Sequence, residues 1–107
     1  MSMPDIEELN LLHANICQAL GDPKRILILY AISERPRHVS ALAKDLGLPQ
    51  PTVSRHLRVL RQRALVRTER IGPAVIYHIV DNRIVEILDS MRLVLRDALG
   101  RQTRILT

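Results

Sequence analysis

Five hydrogen-bonding side chains, Gln50, Thr52, Ser54, Arg55 and Arg58, fall within nine residues, and no acidic residue lies among them. They form a set of donors suited to an anionic partner with flat polar edges. A guanidinium offers two parallel donors that match guanine O6 and N7, and a carboxamide such as Gln50 pairs with adenine. Hydroxyls suit a phosphate oxygen or a thymine methyl. Val53, Leu57 and Leu60 recur at i, i+4 and i+7 through the same stretch. On a helix these three share one side, while Pro51, Thr52, Arg55, Arg58 and Gln62 take the other and Ser54 sits on a flank. His56 falls about 60° from the centre of the apolar side, which makes it a packing or phosphate-flanking residue rather than an acid, base or ligand. Arg67 and Arg70 follow in a β-rich stretch, where guanidinium groups can meet phosphate or enter a minor groove.

Charge is concentrated around these residues. Residues 35–70 hold nine basic and two acidic side chains, a net +7, whereas the rest of the chain holds seven basic and nine acidic. Such a basic middle between near-neutral flanks suits a phosphate-facing element carried on a separate packing scaffold. A solvated basic face is the plainer account of the same count. With two tyrosines and no Phe or Trp, the chain has almost no stacking platform for unpaired bases, so duplex DNA is the expected nucleic acid.

Other chemistries find little support. The four histidines are dispersed, and neither a Gly-rich phosphate loop nor a nucleophile motif is present, so an enzyme is not expected. The single cysteine, Cys17, excludes an internal disulfide and a Cys-x-x-Cys metal site. His13 and Cys17 stand four apart and share a helix face, which makes them the one candidate pair for a soft metal or for an intersubunit disulfide. Free cysteine is commonly buried as a small apolar residue, so packing is the favoured reading, and no cofactor is expected. No apolar run approaches the roughly 20 residues that cross a bilayer, and acidic residues occupy the N-terminus where a secretory signal is basic. A cytoplasmic protein without a membrane partner is therefore expected.

The elements that must position these residues follow from periodicity. Residues 5–20 read as one helix, with Ile6, Leu9, Leu12, Ile16 and Leu20 on a stripe and Gly21 as the stop. Asp22 and Pro23 supply a cap and first turn for a second helix reaching about Ser33. A short helix over 39–46 ends at Gly47, and a fourth runs over 50–63, so that 39–63 reads as helix, tight turn, helix. Strands over 64–70 and 74–80 flank 71–73 as a hairpin, or wing. Asp81 caps a last helix reaching Gly100, where Ile84, Ile87, Leu88, Met91, Val94, Leu95 and Ala98 recur near heptad spacing. A stripe that broad needs a partner. Residues 101–107 read as a frayed tail. The 107 residues thus describe one small domain, mainly α with a β-hairpin in the order ααααββα, and marginal enough alone to gain from dimerising.

The run 19–29, ALGDPKRILIL, followed by 42–57, LAKDLGLPQPTVSRHL, and by VIYHI at 75–79, resembles the ArsR/SmtB family of winged helix-turn-helix regulators. The resemblance covers about residues 19–80. It implies a homodimer paired through the first and last helices, which places Leu9, Leu12, Ile16, Ile84, Ile87, Leu88, Met91 and Leu95 at the interface. It also implies two recognition helices entering successive major grooves of an imperfect inverted repeat, and repression relieved by a signal. Pro49 stands where the family often has a serine that caps the recognition helix. The Cys-x-Cys pair of some metal-sensing members falls on 38–40, where His38 and Ser40 stand, and His38 reads as a surface or capping residue. The Asp and His residues of a second family site correspond to Asp81, Arg83, Val94 and Asp97, a set that lacks both histidines. A winged-helix adaptor that binds an acidic protein is the alternative from another functional class.

Overall fold

The N-terminal segment begins as the apolar spacing predicts and then changes its winding. The computed structural model describes residues 2–106, with side chains to 102. Asp5 caps α1 (Ile6–Leu12) by accepting from the Glu8 amide at 2.8 Å, and Glu7 and Glu8 complement the helix dipole. Asn15 Nδ2 then donates to the Leu11 carbonyl at 2.8 Å. This side chain competes with the backbone for a carbonyl that continues the α ladder. The winding widens into a π-turn over His13–Cys17, closed by the Gln18 amide on His13 O at 2.9 Å, and ends in a 3₁₀ turn over Ala19–Gly21. The continuous helix expected over 5–20 is thus three differently wound pieces.

α2 (Pro23–Glu34) starts as its signals dictate, with Asp22 accepting from the Lys24 amide at 2.9 Å and proline at the first position. It is the central pillar. Ile28, Leu29 and Ile32 pack with Leu42 of α3 (Val39–Leu46), with Val53, Leu57 and Leu60 of α4 (Gln50–Gln62), and with Val66 of β1 (Val66–Ile71). β1 pairs antiparallel with β2 (Ala74–Ile79), from Val66 opposite Ile79 to Ile71 opposite Ala74. Gly72, at φ 59°, and Pro73 make the two-residue turn, with positive φ at the first central position. Arg37 ties three elements together. Its Nη2 caps α2 at Ala31 O (2.5 Å), its Nη1 meets Asp45 of α3 at 2.9 Å, and its carbonyl accepts from the Tyr77 amide of β2 at 3.1 Å.

α5 (Arg83–Leu106) corrects two expectations. The helix continues through the region expected to fray, because Gly100 weakens a helix by only about 1 kcal/mol and good helix formers follow it; Thr107 lies outside the described residues. Ile84 and Leu88, expected at an interface, are 6% and 3% exposed and belong to the protomer's own core. Ile87, Met91, Val94 and Leu95 remain more than half exposed. Tyr30 fastens α5 to α2 by donating to Asp89 Oδ1 at 2.6 Å, with the Arg92 guanidinium 5.3 Å from the ring centroid.

The turn between α3 and α4 is a glycine-dependent cap. Gly47 has φ 65°, and the Leu48 amide reaches back to Ala43 O at 3.0 Å. The end of α4 repeats the geometry with Ala64 at φ 59° and the Leu65 amide on Leu60 O at 2.9 Å. Left-handed backbone disfavours a Cβ, so the two sites should respond oppositely to the same exchange. Gly47→Ala is expected to destabilise by about 1 kcal/mol and Ala64→Gly to stabilise by a similar amount, measured by urea unfolding. Equal signs for the two variants would contradict this account.

Candidate nucleic-acid interface

Helix α4 is two-sided as the spacing predicts. Val53, Leu57 and Leu60 are fully buried, while Gln50, Pro51, Ser54, Arg55, Arg58 and Gln62 are exposed and Thr52 is half-buried. Arg55 and Arg58 form no ion pair or side-chain hydrogen bond among the described residues, so both guanidinium groups are free to meet a ligand. Pro49 does not cap the helix with a side chain; its carbonyl accepts from the Thr52 and Val53 amides at 3.0 and 3.1 Å. Pro51 removes one of the amides that would otherwise lack a partner in the first turn. The serine cap is therefore lost and partly offset by this second proline.

α3 also contributes to the face. Ser40 Oγ donates to Gln50 Oε1 at 3.2 Å, which turns the amide carbonyl of Gln50 toward α3 and leaves its NH₂ as the end available to a ligand. Spacing within α4 gives no hint of Ser40. The signal that could have found it is its place in the first turn of the preceding helix, across the tight turn from Gln50. His38 caps α3, with Nδ1 accepting from the Ala41 amide at 3.2 Å, in agreement with the capping reading.

The basic region loses two members and keeps seven. Arg35 and Arg37 both pair with Asp45, at 3.2 and 2.9 Å. Lys44, Arg55, Arg58, Arg61, Arg63, Arg67 and Arg70 carry no ion pair among the described residues. On the wing, Arg67 stands opposite His78 and Arg70 opposite Val75. Side chains alternate along a strand, so Arg67, near the base of the hairpin, and Arg70, near its tip, point to opposite faces. Arg67 shares its face with Glu69, whose Oε1 is 3.3 Å from the buried His78 Nε2 but out of hydrogen-bonding alignment.

His56 occupies the inner face of α4 at 6% exposure. Its Nδ1 lies 3.4 Å from Arg25 Nη1 and its Nε2 3.8 Å from Asp22 Oδ2. Burial pushes its pKa down; Asp22 opposes the shift, and Arg25, Arg55 and Lys24 add to it. The packing role expected of His56 is the one observed, with polar partners on α2 that periodicity does not reveal.

His13 and Cys17 open and close the π-turn, and both are exposed. Among the described residues no three His, Cys, Asp or Glu side chains gather as a metal site. Asp81 is engaged by Arg83 at 2.7 Å, and that hydrogen bond, with one from the Arg83 amide, holds its carboxyl down to about 2.

Residues 22–68 match the family described as bacterial regulatory protein, arsR family. NmtR, an HTH-type transcriptional regulator of Mycobacterium tuberculosis, is 38% identical over 77 residues, which are 72% of this chain and 64% of NmtR. Rv0081 of the same organism, an HTH-type transcriptional regulator, is 38% identical over 101 residues, 94% of this chain and 89% of the relative. The Rv0081 crystal structure superposes with a TM-score of 0.78 over 95% of this chain and 99% of that one. A homodimeric winged helix-turn-helix DNA-binding domain from Mycobacterium bovis, Mb0332, is 25% identical with a TM-score of 0.76, covering 94% and 95% of the two chains. Joined to the two-sided α4 and its wing, these likenesses make the chain a member of the ArsR family of winged helix-turn-helix transcriptional regulators.

Proposed function

We propose that the protein binds duplex DNA as a homodimer, reads two half-sites of an inverted repeat with α4, and represses transcription from that site in the cytoplasm without catalysis or a cofactor. Arg55 and Arg58, unpaired among the described residues and exposed on α4 between α3 and the wing, carry this reading. Gln50, Thr52, Ser54, Arg67 and Arg70 are the further contacts, the first three on α4 and the last two on the wing. The partner copy is expected along α1 and α5, where Leu9, Leu12, Ile87, Met91 and Leu95 are exposed and Ile16 is half-buried. Among the described residues no helix is long and apolar enough to cross a membrane.

Fluorescence anisotropy on the duplex upstream of the protein's own reading frame, against a scrambled duplex, tests the reading. With six to ten phosphate contacts per dimer, affinity is expected to fall about 10³- to 10⁵-fold between about 50 and 200 mM salt. The upstream duplex should be preferred at least about 10³-fold. Weak binding that is blind to sequence would favour the adaptor and overturn the proposal. Metal ions or an oxidant, added to the preformed complex, test for a signal; release that Cys17→Ser abolishes would place sensing at the π-turn.

A further inference from the structure

Arg25 lies in the first turn of α2 and reaches three groups outside that helix. Nε donates to Ala19 O at 2.6 Å, Nη2 donates to Gln18 O at 3.1 Å, and Nη1 lies 3.4 Å from His56 Nδ1. The Gln18 carbonyl also accepts from the Gly21 amide at 3.1 Å, so the guanidinium adds a second donor there and one to Ala19 O, and its planar fork holds the two carbonyls in a fixed geometry. One side chain therefore joins the end of the N-terminal helical segment to the inner face of α4. His56 meets it from among Val53, Leu57 and Leu60, the residues that seat α4 on α2.

We propose that Arg25 is a positioning residue that fixes the orientation of α4 relative to the N-terminal helical segment, and thereby sets the spacing of the two DNA-reading faces in the dimer. This rests on the operator-binding reading above. Arg25 touches no base and acts through His56. A guanidinium can only donate, so the facing Nδ1 is an acceptor, the ring is neutral, and its proton is on Nε2 toward Asp22. The charged groups around the ring are Asp22, Lys24 and Arg25 from α2 and Arg55 from α4 itself. A proton on Nδ1 would set two donors against each other and open the contact. Acid is thus expected to imitate loss of Arg25, although added positive charge alone strengthens binding to DNA.

The test uses duplexes that the full chain selects from a random-sequence library, remade with the half-sites one base pair closer or farther apart. Each base pair turns the second half-site by about 34°, so a rigid dimer should discriminate by at least about tenfold. Arg25→Met, which keeps most of the stem and removes every donor, should remain folded and dimeric by circular dichroism and sedimentation, bind scrambled duplex as before, and show discrimination within about twofold. Arg25→Lys restores the charge without the fork and should stay flattened. Lowering pH through the His56 titration, which burial moves below the ordinary histidine range, should flatten the wild type. It should spare His56→Gln, whose carboxamide keeps an acceptor for Arg25 and does not titrate.

A folded Arg25→Met with wild-type spacing discrimination would overturn the proposal. Should that variant not fold, His56→Gln decides: flattening by acid equal to the wild type would overturn it, and resistance would support it. Failure of the wild type to select any duplex would instead overturn the operator-binding reading, and the positioning role with it.

Discussion

Met91→Glu is expected to convert the proposed homodimer to a folded monomer and to weaken operator binding by about 10² to 10⁴, because the second half-site is no longer tethered to the first. Met91 is 54% exposed on α5, among Ile87, Val94 and Leu95, and touches little of its own core. The protomer should therefore keep its helical content. In a two-fold interface each substitution occurs twice, and both carboxylates would be buried without a cation. Sedimentation velocity and anisotropy on the same samples read the two effects together. Met91→Leu, nearly equal in volume, should leave both unchanged. A tight-binding Met91→Glu dimer would remove this stripe from the interface.

The second large effect belongs to α4. Arg55→Ala and Arg58→Ala are each expected to cost about 1–3 kcal/mol of operator binding where the side chain reads a base, and to relax the preference at that base pair. Among the described residues neither side chain has a hydrogen-bond or ion-pair partner, so protomer stability should be almost untouched. A homodimer presents each arginine twice, and loss at both half-sites can roughly double the cost. An arginine that only neutralises phosphate behaves differently, weakening all duplexes alike and reducing the salt slope. Measured on operator and scrambled duplexes over a salt series, the two variants separate these roles. Unchanged operator affinity in both would show that α4 does not read the site.

The parts of the fold legible in the sequence are those with local punctuation. Asp22-Pro23, Gly47 and Gly72-Pro73 act through fixed dihedrals and caps, and α2, α3, α4 and the wing follow them closely. The N-terminal segment is less legible, because Leu9, Leu12 and Ile16 suit α and π winding alike. The change coincides with the Asn15 side chain taking the Leu11 carbonyl, a contact the apolar spacing does not show. The stripe on α5 shows a related limit. Period 3.5 puts Ile84 and Leu88 in line with Met91 and Leu95, yet the first pair packs on the protomer core and the second leaves it. At the candidate interface, the two faces of α4 could be read from periodicity alone. Ser40 and Arg25 could not, since their partners lie on other helices and hydrogen bonding between elements leaves no periodic trace. The same holds for Arg35 and Arg37, whose shared pairing with Asp45 depends on how α3 docks.

The wing is a two-stranded sheet, and its strands differ in how they are covered. The outer edge of β2 meets the chain at Arg37, while β1 has no neighbour on its outer side among the described residues. An open edge is a template for another chain, and stacked hairpins are one route to aggregation. β1 carries Arg67, Glu69 and Arg70, so a second copy approaching in register would bring like charges together. The arginines proposed to hold DNA would thus also act as gatekeepers of solubility. Replacing both with apolar residues would put colloidal stability at risk as well as affinity.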